Sequence, residues 1–179
     1  MLTPEQKRTL LRVAREALVA AVNDRDYGPA SDDPALQQPA AAFVTLRKHD
    51  ELRGCIGMVQ AETPLIQTVA EMAREAALGD PRFSPVRPAE VPDLHLEISV
   101  LTPAEAVADC SEIEVGLHGL IVEQGRCRGL LLPQVPAEWG WDREEFLDHT
   151  CVKAGLPRDA WRRGAAIYKF CAEVFGEDV

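Results

Sequence analysis

The stretch AAFVTLRKHDELRGCIGMV, residues 41–59, decides how the rest of the chain is read. Its first half is rich in strand-forming residues, His49-Asp50 marks a turn, and LRGCIGMV returns as a second strand, so the segment predicts a β-hairpin. Because strand side chains alternate, Leu52, Ile56 and Met58 are expected on one face and Arg53, Cys55 and Val59 on the other. That pattern sets the Arg53 guanidinium beside the Cys55 thiol. A neighbouring cation favours a thiolate, the form in which cysteine attacks. Gly54 and Gly57 flank the thiol, and glycine inside a strand often marks a bulge or a place where a ligand or another backbone comes close. The bland alternative is a packed, inert cysteine, since free cysteine is among the most buried residue types.

Working outward, Thr3-Pro4-Glu5-Gln6 carries an N-cap hydroxyl, a proline at the first helical position and a glutamine to reach back, which predicts a helix to about Asn23. Residues 24–39 are polar and rich in proline and aspartate, hence a surface loop. Downstream, Thr63-Pro64 is expected to cap a second helix that buries Leu65, Val69, Met72, Ala73 and Ala76 and stops at Gly79. LHLEISVLT alternates as a half-buried strand, with His95, Glu97 and Ser99 on its polar face. GLIVEQGRCRGLLLP reads as a hairpin turning at Gln124-Gly125. Asp142 and Glu145 form a capping box for a third helix, and the tail WRRGAAIYKFCAEVF reads as one last strand. Helices and hairpins in this order predict an α+β fold rather than alternating βαβ units.

Composition narrows the function classes. A chain of 179 residues fits one domain, and 46% apolar with 27% charged residues is ordinary globular composition. The net charge of −10 and pI near 4.9 oppose phosphate, so nucleic-acid binding is not expected. The N-terminus mixes charges among its apolar residues and shows no signal-peptide pattern, and no stretch is long and apolar enough for a membrane span; a soluble, cytoplasmic protein is expected. Cys55, Cys110, Cys127, Cys151 and Cys171 are widely spaced and odd in number, so they read as reduced thiols. The four histidines lack metal-site spacing, which predicts no metal centre. Phosphate-loop, dinucleotide and serine-hydrolase motifs are absent, which leaves the cofactor unknown. Secondary candidates are Arg82, which can bind an anion or simply pair with an acid, Glu97 beside His95, and His149 with Lys153 four residues on.

Three segments, FVTLRKHDELRGCIG, ALGDPRFSPVRPAEVPDLHLEISVLTP and GLLLPQVPAEWGWDREEFLDHTCVKAGLP, together resemble the AMME-syndrome candidate-region (AMMECR) family, called AmmeMemoRadiSam system protein A in bacteria. LRGCIG is its signature, and the resemblance spans roughly residues 5–175. It implies one domain with two lobes: a larger one, an antiparallel sheet flanked by helices and built from both chain ends, and a smaller β-rich one from within roughly residues 50–130. It implies that the signature lies by a cleft. It also implies a pathway shared with Memo-type and radical-SAM proteins, but no reaction. Carried across, the family's positions are Arg53, Gly54, Cys55, Gly57, Arg82, Glu97, Gln134, His149 and Lys153. Two readings follow. One is a thiol-dependent enzyme acting on an unidentified small molecule, with Cys55 and Arg53 at its centre and Glu97 or His149 moving protons. The other is a non-catalytic adaptor for the Memo-type and radical-SAM partners.

Overall fold

The hairpin forms, and its irregularity matters more than its turn. Strand β1 (Ala42–Lys48) pairs antiparallel with β2 (Glu51–Met58) across a tight His49-Asp50 turn, both of whose residues have positive φ (50° and 65°). Nearest the turn the pairs are Lys48 with Glu51 and Arg47 with Leu52; beyond it they are Leu46 with Gly54 and Thr45 with Cys55. Arg53 is the extra residue of a β-bulge. Without that extra residue, regular pairing would set Cys55 opposite Val44, on the helix-covered side of β1. With it, Cys55 lies opposite Thr45, on the other side. One added residue therefore chooses which face of the sheet carries the thiol.

The computed structural model, which describes residues 1–177, divides into two units. The first comprises Met1–Leu101 and the chain end from Glu173. Its sheet has the order β2-β1-β3-β8, with β3 at Leu94–Leu101 and β8 at Ala172–Gly176. Helices α1 (Pro4–Val22) and α2 (Leu65–Leu78) pack against the face bearing Ala42, Val44, Leu46, Leu96 and Ile98, all fully buried. The capping box of α1 is present as expected, with Thr3 and Gln6 satisfying each other's backbone donors. Thr63 does not cap α2. Its hydroxyl is engaged with that of Thr68 at 2.7 Å, and Pro64 takes the cap position.

The second unit, Thr102–Ala172, holds a sheet of order β4-β7-β5-β6, made of β4 (Glu105–Ala106), β5 (Gly119–Gln124), β6 (Cys127–Leu131) and β7 (Ala166–Phe170). After the short helix α3 (Gln134–Trp139), α4 (Arg143–Lys153) packs on the sheet around a core of Ile113, Leu120, Val122, Phe146 and Leu147. The α+β class holds, with antiparallel pairing and a larger unit drawn from both chain ends. The smaller unit, expected from within roughly residues 50–130, is drawn from Thr102–Ala172, because β2 and β3 flank β1 in the sheet of the larger unit. The tail is not one strand. It breaks at Cys171, whose N–H and C=O both bond to Thr102, so that β7 joins one sheet and β8 the other.

Candidate functional site

On the face of the first sheet turned away from α1 and α2, register puts side chains in rows. Cys55, Thr45 and Glu97 form one row across β2, β1 and β3; Gly57, Phe43 and Ser99 form the next; Arg47 and His95 pair on the other side. The Thr45 hydroxyl donates to the Cys55 sulfur at 3.2 Å. Glu97 makes no side-chain hydrogen bond or ion pair with any described residue.

β2 is an edge strand, and side chains rather than a neighbouring strand satisfy its outer groups at Cys55. The Cys55 N–H donates to Asp80 Oδ2 at 2.9 Å, and Arg82 Nη2 donates to the Cys55 carbonyl at 3.3 Å. Asp80 and Arg82 also hold each other: Asp80 accepts from Arg82 Nε at 3.0 Å, from Nη2 at 2.8 Å and from its backbone N–H at 3.1 Å. The Asp-Pro-Arg turn after α2 thus offers one acceptor and one donor with a strand's spacing. That protects the edge and fixes the backbone carrying the thiol. The Arg82 guanidinium, together with the N–H from Cys55 and from Arg82 itself, holds the nearly buried Asp80 carboxyl far below the usual carboxylate range, against the opposing effect of burial.

Arg53 is placed differently from the sequence expectation. Lying in the bulge, it sends its guanidinium to the 84–90 segment: Nε and Nη2 each reach a Glu90 carboxylate oxygen at 3.2 Å, and Nη1 reaches the Ser84 carbonyl at 2.9 Å. No hydrogen bond joins Arg53 to the Cys55 sulfur. Arg53, the Arg87 N–H and Lys48 bring the Glu90 carboxyl down to about 2. Arg53, Phe83, Ser84, Pro85, Arg87 and Glu90 line an open concavity of about 560 Å³.

The glycines answer to crowding from within the unit. A Cβ at Gly54 would lie 2.1 Å from the Ala76 carbonyl oxygen of α2, and one at Gly57 would lie 2.2 Å from the Phe43 ring. Close helix–strand approach in one case, and a ring laid over the strand in the other, account for the motif's small residues.

Acid should weaken this assembly in a defined interval. In an unfolded chain Asp80 and Glu90 protonate near their ordinary values of 3.8 and 4.5; in the folded chain Glu90 holds off to about 2, and Asp80 goes lower still. Between those limits the unfolded state binds more protons. The stability that the two carboxylates supply is complete above about pH 4.5 and is lost as pH falls towards 2. Urea midpoints measured from pH 7 to pH 2 are expected to drop from that onset, and Glu90→Gln should blunt the drop.

The family model described as AMMECR1 matches residues 11–175. The chain belongs to the AMMECR1 family. A family relative from Methanothermobacter thermautotrophicus is 47% identical, covering 99% of this chain and 97% of its own length, and protein TK0174 of Thermococcus kodakarensis is 46% identical over 94% and 89%. The crystal structure of the uncharacterised protein PH0010 from Pyrococcus horikoshii matches with a TM-score of 0.86 at 44% identity, over 94% of this chain and 90% of that one.

Of the residues carried over from the AMMECR1 family, Arg53, Gly54, Cys55, Gly57, Arg82 and Glu97 lie in the first unit, and Gln134, His149 and Lys153 in the second. The first group converges on the 51–58 strand and its neighbours. In the second unit Gln134 opens α3, Lys153 ends α4, and the His149 ring stacks on Trp141 at 3.8 Å with planes 5° apart. The sequence alone does not single out Thr45, Asp80 or Glu90. Asp80 had a local signal, the Asp-Pro-Arg turn directly after a helix stop, whereas Thr45 and Glu90 depend on register and loop path. Among the described residues no group of three or more His, Cys, Asp or Glu side chains is placed to hold a metal ion, and no helix is long and apolar enough to cross a membrane.

Proposed function

We propose that the helix-free face of the first sheet is a thiol reaction site centred on Cys55, and that the protein is a thiol-dependent enzyme acting on a small molecule. The observation that carries this reading is the way Cys55 is held. Its sulfur takes the Thr45 hydroxyl, and its backbone is clamped on both sides by Asp80 and Arg82. Such preorganisation on a rigid strand is what a reacting group requires. Arg82, tied to Asp80 and to the Cys55 carbonyl, is the nearby cation in place of Arg53, and Glu97 in the same row is the carboxylate available for proton transfer. Arg53, Gly54 and Gly57 act by shaping the strand. His149, Lys153 and Gln134 are assigned no step at Cys55. A cytoplasmic setting suits five unpaired thiols, and the Memo-type and radical-SAM proteins are the proposed partners in the pathway.

Alkylation of the folded protein by iodoacetamide at pH 7, resolved peptide by peptide, tests this reading. Cys55 is expected to react fastest of the five. Burial pushes the thiols of Cys110 and Cys151 up, with Asp109 adding to the effect at Cys110, so those two should lag. Cys55 as the slowest of the five would end the thiol reading.

A second reading, the adaptor, is favoured by Leu52 near the start of β2 and Val59 just past its end, exposed at 37% and 38%. Leu52→Asp should then abolish capture of the Memo-type or radical-SAM protein while leaving alkylation of Cys55 unchanged.

A further inference from the structure

We infer that Thr45 is the positioning residue of this thiol site, holding the Cys55 sulfur through its hydroxyl; the inference rests on Cys55 being the reactive group. Three features of the sheet converge on it. The first is pairing geometry. The Cys55 N–H and C=O point outward to Asp80 and Arg82, so Thr45 and Cys55 form the kind of antiparallel pair that exchanges no backbone hydrogen bonds. Such pairs bring their Cα atoms to roughly 4.5 Å and their side chains closer than the alternate pairs do. The hydroxyl accordingly reaches the sulfur at 3.2 Å.

The second feature is rigidity. Threonine is β-branched and stiff about χ1, and Thr45 sits on the strand between β2 and β3, only 9% exposed. Its hydroxyl direction is fixed by the sheet. The third is the residue type itself. At so buried a position valine or isoleucine would satisfy the strand equally well, and a hydroxyl there costs desolvation unless it is bonded. The bond it makes is to Cys55, with Glu97 next in the row on the far side. A hydroxyl donated to sulfur strengthens when the sulfur is ionised, since hydrogen bonds to charged groups are roughly twice as strong as neutral ones. Thr45 therefore holds the sulfur in one direction.

The test is the pH profile of Cys55 alkylation in the wild type, Thr45→Val and Thr45→Ser. In this reaction the thiol proton passes to solvent, the sulfur lone pair forms the S–C bond to iodoacetamide, and iodide leaves with the C–I electron pair. Thr45→Val keeps shape and strand preference while removing the donor. It should slow Cys55 about tenfold at pH 7, the loss of one hydrogen bond to a charged group. Thr45→Ser should restore the rate to within about twofold of the wild type, as expected when the hydroxyl rather than the packing carries the effect. Cys127, on the other sheet, serves as the internal standard. Should Thr45→Val not fold, Thr45→Ala reads out the same loss. A reactive Cys55 with the same rate and profile in Thr45→Val overturns this inference and leaves the thiol site standing. A Cys55 unreactive already in the wild type overturns the thiol reading, and the role of Thr45 with it.

Discussion

Gly54→Ala is expected to destabilise the protein by about 3 kcal/mol, at the upper end of what overpacking costs. The added methyl would sit 2.1 Å from the Ala76 carbonyl oxygen. That oxygen is backbone in the last turn of α2, a helix locked into the core by Val69, Met72 and Ala73, so it cannot step aside as a side-chain tip would. Either β2 or α2 must move. For a chain of this length the corresponding fall in melting temperature is about 6–12 °C. Gly57→Ala is the instructive comparison, because the obstacle there is the Phe43 ring, which can rotate. It should cost about half as much. Thermal melts of the two variants side by side check the difference. Equal, small losses would mean that α2 does not press on the signature strand as described.

Asp80→Ala is expected to cost about 3 kcal/mol as well, by a different route. It removes the acceptor for the Cys55 N–H, for the Arg82 N–H and for two positions on the Arg82 guanidinium at once. An unsatisfied backbone donor costs roughly 1–3 kcal/mol where water cannot replace the partner. The Arg82 guanidinium, being half exposed, recovers part of its loss from solvent. The edge of β2 is left with open groups, and hydrogen exchange at the Cys55 amide should quicken together with the loss in urea midpoint. Because the wild-type advantage comes from an ionised carboxylate, the gap between the two proteins should narrow as pH falls below about 3.8. A gap independent of pH would place the cost in packing rather than in the carboxylate.

Much of the fold could be read along the chain because its signals are local. The Thr3–Gln6 and Asp142–Glu145 capping boxes, the His49-Asp50 turn and the alternation of Leu94–Leu101 each involve residues a few positions apart. The differences between sequence expectation and structure share one cause. Unbroken alternation through residue 53 sets Arg53 beside Cys55, whereas a bulge absorbs that residue and sends its guanidinium to Glu90. The tail reads as one strand because nothing in its composition marks Cys171 as the point where the chain changes sheets; the mark is a pair of bonds to Thr102, far away in sequence. The site follows the same rule. Cys55 and its glycines stand out in any reading, and Asp80-Pro81-Arg82 is visible as a turn. That this turn closes the edge of β2 at Cys55, and that Thr45 rather than Arg53 faces the sulfur, depends on register.

The most direct measurement is the alkylation rate of each cysteine in the folded protein divided by its rate in urea, where all five thiols are exposed to a common environment. The ratio isolates what the fold does to each sulfur. The account predicts a ratio for Cys55 at or above one, and a ratio far below one for Cys151, which is fully buried in α4. A Cys55 ratio as low as that of Cys151 would contradict it, and would make the signature cysteine a packing residue of the β2 strand.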